Sequence, residues 1–261
     1  MLPPLSRLPS RLQPPLLYDI PEIQRHYRRV LEDKPKEFYE RFDPSMLERR
    51  PLVAALVDRV FARVFPKKVP LLLDVGCGTG FYYPLLSKYA DRLVGVDVCV
   101  PMLDLAKELI RRKGLKNVEV RESSAFDLPF AEGAVDGVLS FDFLHHVPGV
   151  PQAAAEIHRV LKPGGSYTAF EPNILNPSIA WYHARRRNEW GLYARNRFTV
   201  PRIFRRRFAD VRLSPDNTII SYLSPRTLPI YNALTALTRI PPFHLLTFRY
   251  ILSATKAPAP R

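Results

Sequence analysis

Cysteine is nearly missing from this chain: 261 residues hold two, Cys77 and Cys99. Two thiols make neither a disulfide framework nor a zinc pattern, so a reducing cytoplasm is the expected compartment. Long apolar runs are missing as well. No stretch approaches the roughly 18 consecutive apolar residues of a membrane span. The N-terminus, MLPPLSRLPSRLQPPLL, is broken by Pro or Arg every few positions and is not read as a secretion signal. Acidic residues are in short supply: 25 Asp and Glu stand against 39 Lys and Arg, a net charge of +14. That balance favours an anionic partner, whether nucleic acid, a phosphorylated substrate or a membrane surface, and is silent about fold. Apolar residues, at 46%, suffice for a large core.

Five prolines within residues 1–17 predict an extended or disordered arm. Residues 18–65 read as N-terminal helices. In DPSMLERRPLVAALVDRVFARVF, Leu52, Leu56, Val60 and Val64 keep a helical spacing, with Asp43 as N-cap and Pro44 at the first helical position. After Pro66 the pattern changes. VPLLLDV (69–75) is a continuous apolar run, as a strand buried on both faces requires. Further strands are expected at 92–98, 117–121, 134–141 and 166–171, with helices between them and a turn at Pro163-Gly164-Gly165. Alternation of this kind predicts an α/β fold with a doubly wound parallel sheet over residues 66–261. Residues 177–208 read as irregular, very basic helix, 211–223 as one or two strands, 225–239 as a helix and 243–256 as a segment ending in a strand.

The segment Asp74-Val75-Gly76-Cys77-Gly78-Thr79-Gly80 follows a strand and opens a helix. Glycines there let the backbone turn sharply and approach a ligand, and a helix start offers free N–H groups. Asp97 closes the second strand, where a carboxylate can accept hydrogen bonds from both hydroxyls of a ribose. The spacing is G-x-G-x-G, not the G-x-G-x-x-G that holds a dinucleotide pyrophosphate.

With these residues in place, LDVGCGTG, GVDVCVPML, FDLPF, VDGVLSFDFLHHV and EIHRVLKPGG resemble, in order and spacing from about residue 45 to 172, the motifs of class I S-adenosylmethionine-dependent methyltransferases. The resemblance is strongest to the branch that methylates small molecules and lipids, including quinone rings. It implies a Rossmann-like, seven-stranded, mostly parallel sheet whose last strand is antiparallel, a helical N-terminal lead and a basic cap insertion at about 175–208. It also implies S-adenosyl-L-methionine as cofactor. Asp74, Gly76, Gly78 and Gly80 would surround its methionine end, and Asp97 would hold the ribose. Val98 and Met102 would pack on the adenine, Ala125 would offer backbone to its edge, and Ser140 would line the floor near the sulfonium. Ser124 stands where the family usually has an acid; it would hydrogen-bond the adenine amino group without a charge, or Asp127 would substitute.

Methyl transfer from a sulfonium needs alignment and exclusion of water, and a base only where the acceptor loses a proton. In this fold the acceptor sits beyond the carboxyl ends of the strands. His145, His146 and Glu171 are the resulting candidates for the chemistry, with Asp142 a similar one and His183 and Glu189 able to reach over the site from the irregular segment. Each has a plainer role open to it: a histidine bonding backbone at a helix start, or a glutamate orienting Asn173. No metal ligand set is expected. Ser140-Phe141-Asp142-Phe143 lacks the Asp/Asn-Pro-Pro-aromatic tetrad of DNA amino methyltransferases, so no DNA partner is expected.

Nine arginines lie within 185–207 against one acid, Glu189, with aromatic residues interleaved. Such a belt suits an anionic acceptor, stacked RNA bases or a solvated face. Between Asn217 and Thr255 there is no acid at all, and the apolar residues there suit core, a pocket cover or a membrane surface. Three functions stand at this point: a methyltransferase for a small-molecule or lipid acceptor, at oxygen or carbon; an RNA methyltransferase; and a non-catalytic cofactor-binding scaffold. The expected location is cytoplasmic, with peripheral contact at the membrane under the lipid reading.

Overall fold

The structure is a computed structural model and describes residues 21, 24–25, 28–29, 45–185, 191–217, 226, 228–238 and 240–259. The proline-rich arm, the Asp43-Pro44 cap, Arg186, Arg187 and Glu189 lie outside these residues. Helical backbone is present at Pro21, Gln24, Arg25, Arg28 and Arg29. Helices α1 (Ser45–Arg49) and α2 (Pro51–Val64) follow. The sequence reads these two as one helix, and Pro51 divides them. A residue before proline is pushed out of the α region, and Arg50 sits at φ −128°, ψ 70°.

Strands β1 (Val69–Val75), β2 (Ala90–Asp97), β3 (Val118–Glu122), β4 (Val135–Phe141), β5 (Leu161–Pro172), β6 (Asp210–Asp216) and β7 (Arg249–Thr255) form one sheet in the order β3-β2-β1-β4-β5-β7-β6. The first five pair in parallel, while β7 runs antiparallel to both β5 and β6. The seven strands and the reversed last one agree with what the resemblance implied. Helices α3 (Tyr83–Leu86), α4 (Val100–Lys113) and α5 (Val150–Val160) make the crossovers. α4 stops where Gly114 takes the left-handed conformation, φ 61°.

Pleating sends neighbouring residues to opposite faces. Leu73, Val75, Val94 and Tyr167 join one core with α5 and Phe204. Leu72, Leu93 and Phe170 join the other with Val53, Val57 and Phe61 of α2. The turn expected at 163–165 is absorbed into β5, which begins at Leu161 and carries Gly164 at φ 78°.

Among the described residues, the segment between β5 and β6 holds three short helices, α6 (Pro177–Ala184), α7 (Gly191–Ala194) and α8 (Thr199–Phe204). Between β6 and β7 lie α9 (Leu228–Leu237) and a 3-10 turn, Phe243–Leu246. Because β7 is reversed, the end of β6 and the start of β7 share the carboxyl edge with the ends of β1, β2, β4 and β5. No helix among the described residues is long and apolar enough to cross a membrane.

Candidate active site

The glycine loop bends over the end of β1. Gly76, Gly78 and Gly80 have φ of 75°, 52° and 66°, a region that L side chains avoid. Gly76 N and Cys77 N both donate to Val96 O, at 2.8 and 3.1 Å, which ties the loop to β2. Asp97 receives Gly78 N on Oδ2 at 2.8 Å and Cys99 N on Oδ1 at 2.9 Å. One carboxyl thus fixes the loop and the approach to α4, and each oxygen keeps a lone pair for a ligand. A Cβ at Gly76 would meet the Phe143 ring at 2.2 Å, whereas one at Gly78 would meet Met102 Sδ at 3.5 Å. Asp74, beneath the loop, is buried with Oδ1 lacking a hydrogen-bond partner. Burial chiefly, with the charge of Asp97 adding, pushes its carboxyl up to about 8. From the N-terminal helical segment, Gln24 Nε2 donates to Val98 O at 2.6 Å.

The segment after β4 is held from below. Glu171 is fully buried. Its Oε1 accepts from Phe143 N at 3.0 Å and Leu144 N at 2.8 Å, and its Oε2 meets His145 Nδ1 at 2.7 Å. His145 is buried too, with its ring 4.0 Å from that of half-buried His146. Arg195 donates from Nη1 to His145 O at 3.0 Å. Asp142 stands at φ 47°, the one non-glycine positive φ among the described residues, and its Oδ2 receives Arg249 Nη2 at 2.7 Å.

Between α2 and the carboxyl edge lies a narrow slot lined by Val57, Phe61, Tyr82, Phe141, Phe170, Asp216 and Arg249, among others. Tyr82 lies 4.3 Å from Phe141 between ring centroids, and Phe141 stacks on Phe170 at 4.5 Å and 19°. The cavity is about 20 Å³, room for one water. Burial alone would lower the Arg249 guanidinium, but Asp142, Tyr82 and Asp216 outweigh it and raise it above its ordinary range. An apolar, aromatic slot therefore ends in a permanent cation paired with a carboxylate.

A family profile described as a methyltransferase domain matches residues 73–169. A demethylmenaquinone methyltransferase of Symbiobacterium thermophilum is 30% identical over 161 residues, 58% of this chain and 61% of that protein. A 24-methylenesterol C-methyltransferase 2 of Oryza sativa is 31% identical over 134 residues, 50% of this chain and 37% of that protein. The crystal structure of an S-adenosylmethionine-dependent methyltransferase from Aquifex aeolicus has the same fold, with TM-score 0.56 and 21% identity over 92% of this chain and all of that one. The chain spans about half the length of the curated relatives it matches. Residues 73–169 thus match a methyltransferase domain.

S-adenosylmethionine is the cofactor that the resemblance implies, and the residues present fit it. Asp74 has an unmatched buried oxygen for the ammonium of the methionine end, Asp97 has lone pairs for the ribose, and the missing Cβ at Gly78 leaves its backbone open to close approach. Val98 and Ala125 are half-buried. Other expectations need correction. Ser140 is fully buried and its hydroxyl lies 2.7 Å from Tyr167 Oη, so it is committed inside the sheet and lines no accessible floor. Ser124 Oγ accepts Phe126 N at 3.1 Å, which makes it first a turn former, while Asp127 is exposed on the same turn. Glu171 has both oxygens engaged and no exposure, so it positions the segment that carries the histidines and touches no acceptor. Sequence reasoning missed the Asp142–Arg249 pair and the aromatic slot. Arg249 lies 107 residues from Asp142, and only the reversal of β7 brings them together.

Proposed function

We propose that this chain transfers a methyl group from S-adenosylmethionine to a small-molecule or lipid acceptor, received in the slot under α2. The observation that carries this reading is the aromatic slot at the carboxyl edge, floored by Phe141 and Phe170 and closed by Arg249. A demethylmenaquinone methyltransferase and a sterol methyltransferase among the relatives support an apolar, ring-bearing acceptor.

When bound, S-adenosylmethionine supplies an electrophilic methyl group on a sulfonium. The residues of the chain would then act as follows. Phe61, Tyr82, Phe141 and Phe170 hold the faces of a planar acceptor and keep water away. Arg249, held by Asp142, orients an oxygen or anionic group on that acceptor. Glu171 fixes Phe143, Leu144 and His145, which sets the segment bearing His146. A ring nitrogen of His146 takes the acceptor proton where one must leave. The slot has room for one water, so this reading requires Tyr82 to turn or α2 to move outward when the acceptor binds.

The test is methyl transfer from labelled S-adenosylmethionine to a panel of apolar phenols, quinols and sterols, with RNA as a parallel substrate. Transfer to a ring-bearing acceptor, lost in Arg249→Met, supports the reading. Transfer to RNA, lost on charge reversal of the exposed Arg205, Arg206 and Arg207, would replace it. No transfer to any of them, with S-adenosylhomocysteine still bound, would favour a scaffold.

A further inference from the structure

Helix α9 leaves an apolar stripe facing outward. Its partly buried positions are Leu228, Tyr231 and Thr235, continued by Thr238 just past its end. Thr238 Oγ1 accepts from Asn217 Nδ2 at 2.6 Å and donates to Thr235 O at 2.8 Å. Its outward stripe is Ile230, Leu234 and Leu237, at 64%, 44% and 40% exposure. A surface helix ordinarily buries its apolar stripe. Here Leu228 and Tyr231 pack against the core, a second apolar stripe is left facing out, and the helix carries no charge.

The exposed apolar surface extends along the chain through Ile240, Phe243 and Leu246. Asn176 Nδ2 donates to Leu246 O at 2.7 Å, tying this turn to the start of α6. On α6, Trp181 is 61% exposed, with the Arg185 guanidinium 3.6 Å over its ring. These pieces all belong to connections that leave the carboxyl edge of the sheet. Asp216 and Arg249, at the two ends of the connection that contains α9, both line the slot.

The chemistry around this surface selects its occupant. No acidic residue lies between Asn217 and Thr255, and two cations are exposed here, Arg226 two residues before α9 and Arg185 over Trp181. A second copy of a +14 chain would bring the same positive field to the contact. An anionic bilayer offers an apolar interior for the stripe and a negative surface for the cations. We propose that α9, with Phe243, Leu246 and Trp181, seats the carboxyl edge of the sheet on an anionic membrane, where a lipid-borne acceptor enters the slot from the bilayer. The entry step rests on the methyltransferase reading; the docking does not.

The test uses the full chain and sedimentation with vesicles of phosphatidylcholine alone or with about 30% phosphatidylglycerol at low salt. Partitioning is expected to be about tenfold or more stronger on the anionic vesicles. The triple variant Ile230→Ser, Leu234→Ser, Leu237→Ser is expected to bind them about tenfold or more weakly, with unchanged circular dichroism because all three side chains are exposed. Absence of binding by the unaltered chain, or equal binding by the variant, overturns the docking. So does a dimer in sedimentation equilibrium that the variant abolishes, since a second copy would then cover the stripe. S-adenosylhomocysteine binding, measured on both proteins, separates the two readings. Vesicle binding without it would sink methyl transfer and support the docking alone.

Discussion

Single residues carry more than one duty at this site, and substitutions reveal which. Asp97 fixes Gly78 N and Cys99 N before any ligand arrives. Asp97→Ala is therefore expected to weaken S-adenosylhomocysteine by about 1.5–3 kcal/mol, the scale of hydrogen bonds to a charged group, as calorimetry would show; unchanged affinity would remove Asp97 from the ribose site. Asp74 gives a pH signature. Its folded carboxyl is raised to about 8 from 3.8, so the folded state holds a proton that the unfolded state releases. Its contribution is intact below about pH 4 and is lost as pH rises toward 8. Asp74→Asn, which stays neutral, is expected to flatten the fall in stability across that window in chemical denaturation; parallel curves would show that Asp74 ionises without cost. The sequence displayed these two carboxylates because their roles are local, set by the strand ends on which they sit. It did not separate His145 from Glu171, because burial and the two backbone N–H groups on Glu171 are products of the fold.

At the scale of elements, a glycine without unusual backbone makes the sharpest case. A Cβ at Gly95 in β2 would stand 1.8 Å from Tyr83 Oη on α3 and 2.9 Å from Cys77 Sγ. Close packing makes such an intrusion cost about 1–3 kcal/mol. Gly95→Ala is expected to destabilise on that scale, and Tyr83→Phe to recover part of it. Denaturation of the two single variants and the double variant forms a cycle, and strict additivity would refute the clash. The basic insertion shows how charge patterning misleads. Arg195 reads in sequence as one of nine arginines suited to an anionic acceptor, RNA bases or a solvated face, yet its Nη1 holds the backbone of His145. Arg195→Gln is expected to slow turnover while leaving cofactor affinity within about a factor of three, since a lost hydrogen bond of about 1 kcal/mol acts on the histidine segment alone; an equal loss in both would place Arg195 elsewhere in the cycle. The strands were legible because continuous apolar runs have one good solution in a parallel sheet. α9 was legible as a helix but not in its orientation, which depends on what faces it.

For the whole molecule, the topology followed from alternation of elements, while the surface is governed by charge that the fold leaves uncompensated. The ion pairs Lys68–Asp91, Lys107–Asp104 and Arg111–Glu108 are largely exposed, and such pairs contribute about 0–1 kcal/mol each. With 39 basic and 25 acidic side chains, many cations have no partner of opposite sign, so self-repulsion opposes folding at low salt. Raising ionic strength from about 0.01 to 0.15 M shortens the screening length from about 30 to 8 Å. Relief of about 1 kcal/mol is expected to raise Tm by about 2–4 °C for a chain of this size. The same salt is expected to weaken binding to anionic vesicles, because it screens attraction as well as repulsion. Opposite responses in calorimetry and sedimentation are the signature of a cationic surface with an anionic partner. A Tm that falls with salt would mean that the exposed pairs outweigh the excess charge, and the electrostatic half of the docking argument would go with it.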